Sequence, residues 1–166
     1  MEDKQKSNKE CQNLEELKDL YEEYEKKYKL PSFDELNKLF DIEEVDFETD
    51  FFLRKIRKTL SERILGYLRF LEIILNPSNA PMFFFKFIKK LEAKDKEQIT
   101  NIYENLGRIE LEIVKLDLEY KEETEAEFIK HITKTFQEIR KELLEKINKM
   151  TNNQENKIRE SGTYFG

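Results

Sequence analysis

His131 is the chain's single histidine and its first candidate for catalysis. An imidazole base needs a nucleophile or an orienting acid within reach, and one turn further on the chain has Lys134 and Thr135. A carboxylate-bridged metal site in a helical bundle would require Glu three positions before the histidine, where this chain has Phe128. The sequence therefore predicts an ordinary surface or boundary histidine.

Other residue types that could do chemistry are also poorly placed. Adjacent acids such as Glu15 and Glu16 point about 100 degrees apart on a helix and lie in polar surroundings. A lone cysteine, Cys11, offers no zinc ligand pair, and the four glycines are too scattered for a phosphate-binding loop. We expect no catalytic residue, no metal site and no cofactor, and hence no enzyme.

The most unusual segment is a cluster of aromatic residues in the middle of the chain. Its apolar members cover nearly every side of a helix turn, so some part of the molecule has to bury them. One interpretation is packing against residues 64–75, which are also apolar nearly all round. The other is an exposed site for a protein partner or a second copy of the chain. The predicted partner-binding residues are Met82, Phe83, Phe84, Phe85 and Phe87.

A basic face is the second candidate binding feature. Residues 51–94 hold ten Lys and Arg against three acids, whereas residues 31–50 hold one Lys against eight acids. Exposed cations on one helix face can bind nucleic-acid phosphates or a ribosome, although the neighbouring acidic segment 41–50 could neutralise them instead. We expect these side chains to face water. The candidate nucleic-acid-binding residues are Arg54, Lys55, Lys58, Arg69, Lys86, Lys89 and Lys90.

Apolar residues at alternating three- and four-residue spacing predict the helices that position these segments. The clearest stripe runs from Leu53 to Ile74, after a cap at Thr49 or Asp50. Gly66 and Gly107, inside predicted helices, indicate either close helix crossings or glycines that the helices simply tolerate. The predicted helices span residues 13–29, 33–40 with a Ser32–Glu35 capping box, 50–75, 82–94 with Pro81 as the first residue, 95–120, and 124 to Asn152–Asn153.

Short connections between long helices favour antiparallel neighbours. The predicted fold is an all-α, up-and-down bundle of three long antiparallel helices, with shorter N-terminal and central helices packed alongside. We expect this bundle to form a single domain of residues 12–150. Residues 1–11 and the tail of residues 151–166 are predicted to be flexible. The final residues 163–166 could serve as a small docking peptide.

Composition indicates the compartment. The single cysteine can form no internal disulfide, which fits a reducing environment. The longest nearly apolar runs are shorter than the roughly twenty residues that a membrane span requires. We therefore expect a cytoplasmic protein that does not insert into a membrane.

Four segments, residues 30–37, 50–58, 74–77 and 125–129, resemble a group of uncharacterised archaeal helical proteins. The likeness covers roughly residues 30–148 and contains no catalytic signature. It implies an intracellular archaeal setting and no particular activity. The Phe-rich segment has no counterpart in the resemblance.

Two functions remain open from the sequence. The first is a noncatalytic helical interaction protein that binds a macromolecular partner, or itself, through the Phe-rich segment. The alternative is a nucleic-acid or ribosome-associated factor that uses the basic face of the 50–75 helix.

Overall fold

The computed structural model describes residues 2–161, with side chains for residues 13–151 apart from Asn79. All regular structure in this range is helical, which confirms the all-α prediction. Two short 3-10 turns, Ile42–Glu44 and Pro77–Asn79, lie between the helices. The helices are α1 (Glu2–Tyr28), α2 (Phe33–Phe40), α3 (Phe52–Leu75), α4 (Met82–Ile88), α5 (Ala93–Leu118) and α6 (Glu122–Ser161).

Three predicted helix boundaries were wrong by more than two residues. α1 begins at Glu2, because polar residues with good helix propensity extend it beyond its apolar stripe. α6 continues through Ser161, past the predicted end at Asn152–Asn153. α4 ends at Ile88 instead of Lys94, since a turn over Lys89 and Lys90 separates it from α5. By contrast, α2 has the predicted bounds, and the Ser32 hydroxyl accepts a hydrogen bond from the Glu35 amide at 3.3 Å.

Some predictions concern residues outside the described part of the chain. The docking peptide of residues 163–166 and the side chain of Cys11 lie outside it. The flexible termini and the domain boundaries stay predictions.

The chain divides into two compact units, and α3, α5 and α6 contribute to both. The first unit contains residues up to 64 and residues 110–136, and the second contains residues 65–109 and those from 137 onward. Each unit has its own buried apolar residues.

In the first unit, α1, α2, α3 and α6 supply the core. The Tyr21 hydroxyl donates a 2.6 Å hydrogen bond to the Pro31 carbonyl, and the rings of Phe40 and Phe136 lie 4.9 Å apart. The start of α3 contacts the end of α5 through Arg54 and Leu116, so these helices run antiparallel here. The largest core side chains are Tyr21, Phe40, Phe52, Phe128 and Phe136.

In the second unit, an ion cluster joins the start of α5 to the later part of α6. The Asp95 carboxylate accepts hydrogen bonds from Lys149 Nζ at 2.6 Å and from the Glu92 amide at 3.1 Å, and Lys146 Nζ lies at 3.4 Å. Asp95 thereby caps α5 and sets α5 antiparallel to α6 in this unit. The core residues around it include Leu71, Ile99, Ile102, Leu106 and Leu143.

This cluster predicts an acid-sensitive contribution to stability. Hydrogen bonding from Lys149 lowers the pKa of Asp95 below its ordinary value. The stabilisation is therefore present above the unfolded-state pKa and is lost as the pH falls through the lowered folded-state pKa. We expect Asp95→Asn to be less stable than wild type at neutral pH, with the difference shrinking in acid. Urea unfolding from pH 7 to pH 3 measures it, and a difference independent of pH would contradict the contact.

The two helix-interior glycines do not mark close crossings, contrary to the first of the two interpretations. No heavy atom lies within 4 Å of the position that a Cβ would occupy at Gly66 or Gly107, and neither has a positive φ. We expect Gly66→Ala and Gly107→Ala each to raise the free energy of unfolding by about 0.5–1 kcal/mol, because alanine favours the helix. Thermal or urea unfolding checks this, and destabilisation by either substitution would indicate a contact absent from the structure.

Candidate functional site

The Phe-rich segment forms a short helix in the second unit. Pro81 precedes α4 in an extended conformation, at φ −54° and ψ 142°, and its carbonyl accepts a hydrogen bond from the Phe84 amide at 2.9 Å. Pro81 is thus the N-cap and not the first helical residue. At the other end, the Lys89 and Lys90 amides donate to carbonyls of Phe85 and Phe87.

One side of α4 packs against the rest of the second unit. Ile88 is buried, and the ring of Phe84 meets Phe70 of α3 edge-on, with 6.3 Å between centroids. Phe84 and Phe87 are half-buried and line an apolar hollow of about 140 Å³, whose other lining residues are Phe70, Ile147, Met150 and Thr151. Part of the Phe-rich segment therefore packs against α3, as the first interpretation predicts.

The opposite side of α4 is exposed. Met82 is 86% exposed, Phe83 57% and Phe85 36%. Lys86 and Lys89 are also exposed, and neither ammonium group makes an ion pair or hydrogen bond with the residues that the structure describes. Three- and four-residue spacings place these five residues side by side on the helix. We call Met82, Phe83, Phe85, Lys86 and Lys89 the α4 surface.

Contacts of Phe83 and Lys90 restrain α4 and part of its surface. The ring of Phe83 lies 4.4 Å from that of Phe84 and 6.4 Å from that of Phe87. Lys90 Nζ donates to the Met150 carbonyl of α6 at 2.9 Å and lies over the Phe87 ring at 5.4 Å. The exposed ring of Phe83 is therefore restrained by its neighbours, which lowers the entropic cost of burying it.

The basic residues predicted for α3 divide into engaged and exposed side chains. Arg54, predicted to face water, is instead half-buried. Its Nη2 donates to the Leu116 carbonyl at 3.1 Å, and its guanidinium lies 4.9 Å from the centre of the Tyr120 ring. The terminal carbonyls of α5 lack helical partners, which explains why the guanidinium turns toward them.

Lys55 lies 3.7 Å from the Asp46 carboxylate, so the acidic segment neutralises part of the basic face. Lys58 and Arg69 are exposed and have no hydrogen-bond or ion-pair partner among the described residues. Of the seven candidate nucleic-acid-binding residues, Arg54, Lys55 and Lys58 belong to the first unit, and Arg69, Lys86, Lys89 and Lys90 belong to the second.

Arg57 is a polar core residue that the sequence analysis missed. It is 1% exposed, and its Nε donates to Glu125, itself 0% exposed, at 2.8 Å. Its Nη2 donates to Asp117 at 2.8 Å. Burial alone would lower the pKa of Arg57, but the hydrogen bonds to Glu125 and Asp117 outweigh it and raise the pKa. The Arg57 guanidinium is therefore charged and paired, as in a structural ion cluster.

The predicted surface position of His131 is confirmed, since its side chain is 57% exposed and its Nδ1 lies 3.7 Å from Glu112. Phe128, one turn earlier, is buried in the core. Within the described residues, no group of three or more His, Cys, Asp and Glu side chains is arranged to hold a metal ion.

Comparisons with other proteins identify no relative. No protein-family model, curated protein or solved structure matches the chain. Among the described residues, no helix has the length and apolar character needed to cross a membrane.

Proposed function

We propose that this chain is a noncatalytic interaction protein that binds a macromolecular partner, or a second copy of itself, through the α4 surface. The observation that carries the proposal is the exposure of Met82, Phe83 and Phe85 on a helix anchored by Phe84, Phe87 and Ile88. Neighbouring exposed apolar side chains on a well-anchored helix are typical of protein-binding surfaces.

The alternative function, binding of nucleic acid or a ribosome through the basic face, receives less support. Arg54 is engaged with α5, and Lys55 is paired with Asp46. A phosphate-binding face needs several free cations side by side, and these contacts remove two of the three on the first turns of α3.

We also propose a cytoplasmic setting and a relation to the archaeal helical group. The support is the single cysteine, which cannot form a disulfide within the chain, and the four resembling segments between residues 30 and 129.

The proposal is tested with purified protein and with extract from the source cells. Light scattering over increasing concentration reports self-association, and affinity capture followed by protein identification reports other partners. We expect at least one of these two measurements to show a complex. Phe83→Asp should abolish the complex, whereas Leu144→Asp, at an exposed apolar position of α6, should leave it intact. A monomer with no captured partner, or a complex indifferent to Phe83, would overturn it.

A further inference from the structure

The α4 surface combines two chemistries. Met82, Phe83 and Phe85 present apolar area, while Lys86 and Lys89 add two positive charges with no described carboxylate paired to them. A site that accepts this surface needs an apolar floor and an acidic rim.

The first unit contains a cleft with that composition. It lies between the middle of α1 and residues 43–48, and its volume is about 540 Å³. This volume falls within the range of roughly 300–1,000 Å³ typical of pockets that bind organic groups. Its apolar lining comes from Leu14, Leu17, Val45 and Phe47.

Carboxylates surround this apolar lining. Glu43, Glu44, Asp46 and Glu48 are all exposed and line the same cleft. Lys55, 3.7 Å from Asp46, is the one cation within ion-pair distance of these four in the described residues. Glu44 and Glu48 have no ion-pair partner among the described side chains, so the described part of the rim carries a net negative charge. We call this the acidic cleft.

We propose that the α4 surface of one copy docks in the acidic cleft of a second copy. The chemistry of the two surfaces supports a second copy as the partner. The aromatic side chains of α4 match the apolar lining of the cleft, and the charges of Lys86 and Lys89 are complementary to the rim carboxylates. This inference rests on the proposed function, because it names the partner of the same surface.

The contact joins two different patches, so it is heterologous, and each copy keeps one free patch for another copy. The contact area is small, because one seven-residue helix packs against a small cleft, and interfaces of this size are usually weak. We expect association in roughly the micromolar to millimolar range, with the average mass rising with concentration and falling with added salt.

Two charge-reversal variants test the geometry. Lys86→Glu/Lys89→Glu removes the basic side and leaves the cleft intact, whereas Glu44→Lys/Glu48→Lys removes the acidic side and leaves α4 intact. Lys134→Glu/Lys141→Glu and Glu138→Lys/Glu142→Lys make the same charge changes at exposed positions of α6 and serve as controls. Circular dichroism establishes that each variant folds.

Sedimentation of the full-length chain is the measurement. We expect each test variant alone to self-associate about tenfold or more weakly than wild type. An equimolar mixture of the two test variants should associate again, because one supplies the intact α4 surface and the other the intact cleft. Both controls should behave as wild type.

The possible failures are distinguishable. Wild-type association by Glu44→Lys/Glu48→Lys alone would overturn docking in the cleft, as would a mixture that stays monomeric. If the wild-type chain is monomeric but captures another protein in a Phe83-dependent manner, the second copy is the wrong partner and the proposed function stands. A monomer that captures nothing overturns both.

Discussion

Phe83→Asp/Phe85→Asp is expected to weaken complex formation by about 10- to 100-fold while leaving the fold intact. The two rings are 57% and 36% exposed, so a partner would bury the remaining apolar area of each. Full burial of a phenylalanine contributes about 1.5–3 kcal/mol, and covering roughly half of two rings gives a similar sum. That sum corresponds to the stated loss of affinity.

The measurement is the dissociation constant of the complex, by sedimentation for self-association or by titration with a captured partner. Leu144→Asp is the matched control, because Leu144 is 56% exposed on α6 and does not belong to the α4 surface. Equal losses for both variants would indicate a nonspecific effect of charge. No loss for the double variant would remove α4 from the interface.

The largest expected change in stability comes from Glu125→Ala. This substitution leaves Arg57, 1% exposed, without its buried carboxylate partner. Removing one member of a buried ion pair typically costs 3–5 kcal/mol, because the remaining charge stays desolvated, so we expect a loss of about that size. Urea denaturation at pH 7 measures it.

Two further variants separate charge from packing. Asp117→Asn should cost about 1 kcal/mol or less, because the Asp117 side chain is 50% exposed and its bond to Arg57 is screened by water. Arg57→Met/Glu125→Leu, which removes both charges and keeps the volume, should recover most of the loss. A double variant as unstable as Glu125→Ala would mean that packing, and not the unpaired charge, sets the cost.

Sequence reasoning predicted the helices because their apolar residues recur with the period of a helix. The stripe from Leu53 to Ile74 predicted α3, and every member except Tyr67 is buried. The start of α1 and the end of α6 were missed because their polar segments carry no such period.

The candidate site was harder to predict, for a different reason. Residues 82–88 are apolar on nearly all sides, so periodicity cannot distinguish the packed rings of Phe84 and Phe87 from the exposed ring of Phe83. Only the contacts of Phe84 with Phe70, and the hollow near Met150, determine the orientation of α4.

The two arginines of α3 illustrate the same limit. Arg57 lies four residues after Leu53 and three before Leu60, and this position on the apolar stripe could have revealed its burial. Arg54 is drawn to the end of α5 by a tertiary contact that no local pattern encodes.

Photo-crosslinking in living source cells tests most directly whether the α4 surface is bound. A benzophenone amino acid placed at Phe83, and separately at Leu144, reports what lies against each exposed position. The account predicts a specific protein adduct, to a second copy or another partner, from position 83 and none from position 144. No adduct at position 83, or the same adducts at both positions, would contradict it.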